Sequence, residues 1–189
     1  MSTFVAELRG QEGFAARALE FAILTAARTS EVISARWDEF GDLADRVWTV
    51  PAERMKGGRE HRVPLSAKAM AILEKMVAIR SSDFVFPGAM ARRPLSDMSL
   101  LMLLRRIGRG DLTVHGFRSS FSDWCSERTN FAAEVREMAL AHTASDKVEA
   151  AYRRGDLFQK RRQLAEARAR YCAAPPIDNQ GRVIAIGQR

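Results

Sequence analysis

The sequence predicts a mainly helical domain with one small antiparallel sheet, an α+β fold. Three observations lead there. Apolar residues recur at helical spacing through most of the chain, as in Phe14, Ala18, Phe21, Ala22 and Leu24. From Arg46 the period changes to two, with Val47, Thr49, Arg62 and Val63 on either side of the turn signal Lys56-Gly57-Gly58. Capping residues such as Ser66 and Ser96 stand immediately before apolar runs.

Taken in order, the first expected helix covers residues 12–27 and ends near Thr25-Ala26-Ala27-Arg28. A short helix follows from Thr29 or Ser30, both good caps, with Glu31 in its first turn. Arg28 falls at this helix–helix corner. Its side chain is either aimed into a site or paired with Glu31 at the surface. The sheet is expected within residues 44–64, with strands near 46–50 and 60–64. Lys56 lies at the hairpin tip, where it either swings a proton donor into a cleft or stays solvated. Ser66 caps a helix to about Arg80, with Ile72, Leu73, Met76 and Val77 inward. Phe84-Val85-Phe86-Pro87 is a short extended piece. Ser96 caps the next helix, whose Met98, Leu101, Leu104 and Ile107 read as core and which Gly108 and Gly110 end. Met98 and Met102 read as core filling rather than a partner groove.

The stretch from Thr113 to Tyr152 concentrates the chemistry. Phe117, Phe121, Trp124 and Cys125 form a helical stripe that leaves His115 and Arg118 at the opening of the helix. Residues three apart share a helix face, so this pair can grip one anion at a helix N-terminus. The Arg offers a planar fork and the His a donor or a titratable proton. A helix from Phe131 to Leu140, with Val135, Met138 and Ala139 inward, leads to His142. Ser145 caps a short helix carrying Val148, Ala151 and Tyr152. Tyr152 stands beside Arg153 and Arg154; its hydroxyl is a candidate nucleophile, or its ring packs on a neighbouring helix. Asp156-Leu157-Phe158-Gln159 is a capping-box pattern that starts a last helix near 157–171. There Lys160, Arg161, Arg162, Arg168 and Arg170 read as one basic surface. Residues 174–189, with Pro175-Pro176 and two glycines, read as a mobile tail.

Composition narrows the function. At 189 residues the chain is long enough for one domain with a full core. A net charge of +7 and a pI near 10.1 favour an acidic partner, nucleic acid first and an anionic membrane second. Only five of the 30 basic residues are Lys. That balance suits phosphate contacts but also reflects base composition in GC-rich genomes. Two cysteines are too few for a disulfide framework, which fits a reducing cytosol. No run reaches the roughly 18 apolar residues that span a bilayer, and no basic-then-apolar leader opens the chain. His61, His115 and His142 lie far apart with no paired cysteines, so no zinc spacing appears, and no glycine-rich phosphate loop is present.

Five blocks in order carry a family resemblance: Thr25-Ala26-Ala27-Arg28-Thr29-Ser30-Glu31; Pro51 to Lys56 with His61-Arg62-Val63-Pro64-Leu65-Ser66; His115-Gly116-Phe117-Arg118; Leu140-Ala141-His142; and Ala151-Tyr152-Arg153-Arg154. Over residues 12–171 the chain resembles the catalytic domain of the tyrosine recombinases, in the prophage-integrase branch. The resemblance implies that fold, and site-specific DNA recombination through a 3′-phosphotyrosyl intermediate. It implies that Tyr152 attacks the phosphodiester, that Arg28 and Arg118 hold the non-bridging oxygens, and that Lys56 protonates the leaving 5′ oxygen. His115 would assist proton transfer, His142 would bond the phosphate, and Glu31 would orient the arginines or His115. Arg153, Arg154, Lys160 and Arg161 are the expected DNA contacts. No metal and no cofactor is implied. The expected partners are double-stranded DNA, a homotetramer on it, and accessory DNA-bending proteins; the free chain is expected as a monomer or weak oligomer, away from membranes, in the cytoplasm.

Two departures stand out. Ala27 replaces the Gly that many relatives carry before the arginine, so the turn is expected to differ slightly. The chain also starts almost at the catalytic domain, without the core-binding and arm-binding domains of family integrases. It is therefore read as an excised fragment or a truncated gene, with weak, salt-sensitive DNA binding. A type IB topoisomerase-like enzyme and a non-catalytic DNA-binding prophage remnant are the rival readings.

Overall fold

The structure is a computed structural model that describes residues 1–90, 92–142 and 155–175. Its helices are α1 (Ser2–Arg9), α2 (Phe14–Thr25), α3 (Thr29–Ile33), α4 (Ala67–Ala78), α5 (Ser99–Arg106), α6 (Gly116–Arg128), α7 (Ala133–Ala139) and α8 (Phe158–Ala173). Two strands, β1 (Val47–Val50) and β2 (His61–Pro64), pair antiparallel with Val47 opposite Pro64 and Val50 opposite His61. The expected α+β class, the sheet and its position all hold. Among the described residues no helix is long and apolar enough to cross a membrane. The short helix expected from Ser145, with Tyr152, Arg153 and Arg154, and most of the expected tail lie outside the described residues.

Helix α2 is the axis of the molecule. It packs against α1, α3, α4, α5, α6 and α8, and its residues Ala18 to Thr25 are all buried. Glu20 sits on this buried helix and is neutralised by Arg9, whose Nε lies 2.6 Å from Oε1. The helix stops because Ala26 takes a left-handed conformation, φ 53°, which frees its carbonyl from the helical ladder. The turn residue is thus Ala26 rather than the Ala27 at which a departure was expected.

Period two in β1 places Trp48 and Val50 inward, where Trp48 stacks on Phe40 and donates from Nε1 to Glu39 at 2.8 Å. Ser66 caps α4 as expected, accepting from the Ala69 N–H. Helix α5 ends in a Schellman turn: Arg109 N–H bonds the Leu104 carbonyl and Gly108, at φ +73°, supplies the left-handed residue.

Several expected core positions face outward. Val77 is 44% exposed because residues 77–80 run past the core at the end of α4. Met98 and Met102 are 49% and 51% exposed. Helix α5 begins at Ser99, not just after Ser96, and its packed face is Leu100, Leu103 and Leu104. Leu101 and Ile107 are only half-buried on its flanks. Helix α1 was not expected; it packs on α2 and α8 through Phe4, Val5 and Leu8.

The cations of α8 also divide. Lys160 and Arg170 are exposed, whereas Arg161 and Arg168 are buried, so no single basic surface runs along the helix. A second, smaller core lies beneath it, built from Phe121, Trp124 and Cys125 of α6, Val135 of α7, Leu140 and Leu164. The expected α6 stripe is fully buried.

Candidate active site

The opening of α6 and the end of α7 meet over a cavity of about 250 Å³. Its walls are His115, Arg118, Ser119, Ser122, Asp123, Leu140 and His142. Three of the expected site residues therefore share one concave surface. Thr113 caps the α6 opening, accepting the Gly116 N–H at 3.0 Å. His115 stands exposed there, one helical turn before Arg118.

Arg118 is buried, and its guanidinium is fixed by two carbonyls. Nη1 donates to Ala26 O, the carbonyl that the end of α2 leaves free, and Nη2 donates to Leu140 O at 2.7 Å. Arg28 is fixed next to it: Nη2 donates to Ala141 O at 3.3 Å and Nη1 to Glu31 Oε1 at 2.7 Å. Glu31 is buried and accepts the Arg28 backbone N–H as well, at 2.8 Å. Two adjacent carbonyls at the end of α7 thus hold two guanidiniums that lie far apart in the sequence.

The electrostatics follow from that convergence. Burial first, then the neighbouring charge of Arg28, lowers Arg118 to about 10, so its guanidinium stays charged at neutral pH. Each guanidinium retains N–H donors beyond those committed to protein. Arg118 lines the cavity and Arg28 stands next to it outside the walls, so an anion there meets the Arg118 donors and the charge of both.

Lys56 stands exposed in the hairpin turn, away from the cavity walls. Met55 anchors that turn in the core, and Gly58, at φ +61°, closes it by donating to the Met55 carbonyl at 2.9 Å. Arg161 is not placed as a DNA contact. Its guanidinium is buried and spent on Asp156 Oδ2 at 2.9 Å, Asp156 O at 2.7 Å and Arg62 O at 2.6 Å. Lys160 remains solvent-facing.

Two residues near the site were given no role in the sequence. His61 packs with Thr25, Phe121, Ala139 and Arg161 behind the arginine pair. Burial first, then the charge of Arg161, lowers its pKa to about 4, so the ring is neutral. Glu137 meets the His142 ring, with Oε2 at 2.7 Å from Nδ1. The signal for His61 was its inward register opposite Val50.

Residues 7–157 match the model of the phage integrase family. The chain belongs to the phage integrase family. Among its relatives, it is 39% identical over 147 residues to prophage integrase IntA of Escherichia coli K12, covering 76% of this chain and 35% of that one. It is 36% identical to prophage integrase IntZ of the same strain, covering 79% and 37%. With the integrase of Shigella phage Sf6 the identity is 32%, covering 75% and 37%. This phage integrase family chain thus spans little more than a third of the length of these relatives. A crystal structure of a lambda integrase(75-356) dimer bound to a COC′ core site shares the fold, with a TM-score of 0.58 at 17% identity over 76% of this chain and 55% of the lambda chain.

Proposed function

We propose that the chain cleaves and rejoins DNA strands as the catalytic part of a prophage-type tyrosine recombinase. The observation that carries this reading is the paired anchoring of Arg28 and Arg118 on the carbonyls of Ala141 and Leu140, beside a cavity walled by His115 and His142. Such a pair suits the two non-bridging oxygens of a phosphodiester, whose charge grows in the transition state.

In this reading the Tyr152 oxygen attacks phosphorus. A 3′-phosphotyrosyl bond forms as the bond to the 5′ oxygen breaks. Lys56 delivers the proton to that leaving oxygen, reached by movement of its hairpin. His115 assists transfer of the Tyr152 proton, His142 bonds the phosphate and Glu31 orients Arg28. The covalent ester conserves bond energy, so rejoining needs only attack by a free 5′ hydroxyl. Double-stranded DNA is the partner, a choice supported by the relatives' names and by the DNA-bound lambda integrase. Arg153, Arg154 and Lys160 contact its backbone. Four copies act together on DNA, with accessory DNA-bending proteins, in the cytoplasm.

Covalent capture tests the reading. A library of nicked, end-labelled duplexes is incubated with the chain and resolved under denaturing conditions. Protein–DNA adducts are expected with the wild-type chain and are lost in Tyr152→Phe. Adducts of equal yield in both would sink the assignment.

A further inference from the structure

His142 is held from behind by a residue to which the proposed reaction gives no part. Its Nδ1 lies 2.7 Å from Glu137 Oε2, and its backbone N–H donates to the Glu137 carbonyl at 3.0 Å. The left-handed turn at Ala141, φ 49°, brings the chain back over the end of α7 to make both contacts. On its other oxygen Glu137 accepts Arg136 Nε at 3.0 Å, and Arg136 reaches on to Ser126 Oγ of α6. Glu137 is therefore bonded to both the ring and the backbone of His142, and tied to the helix that carries His115 and Arg118.

We propose that Glu137 is a positioning residue: it fixes the His142 ring by accepting Nδ1–H, leaving Nε2 as the nitrogen presented to an anion in the cavity. The proposal rests on the phosphate reading of that cavity and supplies its missing support. Both partners are partly exposed, and such pairs add little to stability. The consequence falls instead on the proton and the orientation of the ring. A carboxylate facing Nδ1 accepts its proton and so selects the tautomer that leaves Nε2 free.

The charged and titratable groups facing His142 among the described residues are Glu137 and Arg136 of α7, and His115, Arg118 and Asp123 of α6. Glu137 is the carboxylate in direct contact with the ring. Burial works to raise the Glu137 carboxyl, but hydrogen bonds from His142 and Arg136 outweigh it and hold the group below the usual range, so it stays ionised.

The chain has three histidines, His61, His115 and His142, so nitrogen-15 histidine labelling of the full chain gives one ring pattern for each. Neutral His142 in the wild type is expected to carry its proton on Nδ1. In Glu137→Gln, which keeps the shape and removes the charge, that preference weakens. In Glu137→Ala the Nδ1 preference disappears, and Glu137→Asp restores part of it. The patterns of His61 and His115 stay in place and report an intact fold. A wild-type ring protonated on Nε2, or an Nδ1 preference unchanged in Glu137→Ala, overturns the proposal, and the first needs no variant to be folded. Inorganic phosphate added to the wild type should move His115 and His142 together. If phosphate moves neither while the Glu137 effects appear, the positioning stands and the phosphate reading fails.

Discussion

Arg118 and Arg168 are both sealed from solvent, at 7% and 0% exposure, yet they sit in opposite kinds of surroundings. Arg118 has its Nη atoms on the carbonyls of Ala26 and Leu140, a second guanidinium as neighbour, and a cavity in front of it. Arg168 lies among the rings of Phe121, Trp124 and Tyr171, with centroids 5.3–5.6 Å away. Its Nη atoms have no hydrogen-bond partner among the described residues. The first arrangement holds donors in place for an anion; the second uses a cation as packing material, stabilised by ring faces. Burial of a charge therefore does not mark a functional site. The proposed site rests instead on convergent anchoring beside an open cavity.

Exchanging the two arginines' fates is the sharpest way to break this comparison. Arg118→Ala is expected to slow covalent DNA capture by about 10³-fold, the size of losing a preset donor to a developing oxyanion, and Arg118→Lys to recover little because it lacks the planar fork. Arg168→Ala is expected to leave capture by the folded chain alone and to cost about 3 kcal/mol of stability through the void it opens. Arg168→Met fills that void without unsatisfied donors, so urea unfolding should place it within about 1 kcal/mol of the wild type. If Arg168→Met lost capture as Arg118→Ala does, the distinction between the two regions would collapse.

His61 lies where those regions meet, against Phe121 on one side and close enough to Arg28 and Glu31 to feel both charges. Its ordinary pKa of 6.5 applies to the unfolded chain and falls to about 4 in the fold. Between these values the unfolded state takes up a proton that the folded state refuses. Stability should therefore drop as pH falls through that window, by about 2 kcal/mol from pH 7 to pH 5. His61→Leu is expected to remove this part of the pH dependence in paired urea titrations. An unchanged slope would mean that the ring is not held neutral behind the arginines.

The arginine cradle was legible in the sequence because its parts announce themselves locally. His115 and Arg118 are a helical pair, Arg28 stands at a helix corner, and the ordered blocks join them to His142. What was not legible depends on where elements begin and what crosses over them. Starting α5 at Ser99 rather than after Ser96 rotates the packed face from Met98 to Leu100, Leu103 and Leu104. Arg161 and Arg168 read as surface because cations usually are; their burial is decided by Asp156, Arg62 and the α6 rings, none of which a charge pattern reveals. Glu137 and His142 are five apart, no helical pair, and meet only because the chain reverses at Ala141.

Lys56 belongs to neither region and is expected to show the smallest effect on stability. It is exposed in a turn whose fixed points are the Met55 side chain and the left-handed Gly58. Lys56→Ala should therefore change the unfolding free energy by less than about 0.5 kcal/mol, as for a surface position away from caps and packing. The catalytic part proposed for it is separable from that proposed for the cradle by the leaving group. A thiol ionises near pH 8.5, far more readily than a sugar hydroxyl. A duplex with sulfur in place of the bridging 5′ oxygen therefore departs as a thiolate and needs no proton donor. On that duplex the capture defect of Lys56→Ala should nearly vanish while the defect of Arg118→Ala persists, because charge still builds on the non-bridging oxygens. Rescue of both variants would mean that Arg118 acts on the leaving group. Rescue of neither would return Lys56 to the solvated turn in which it stands.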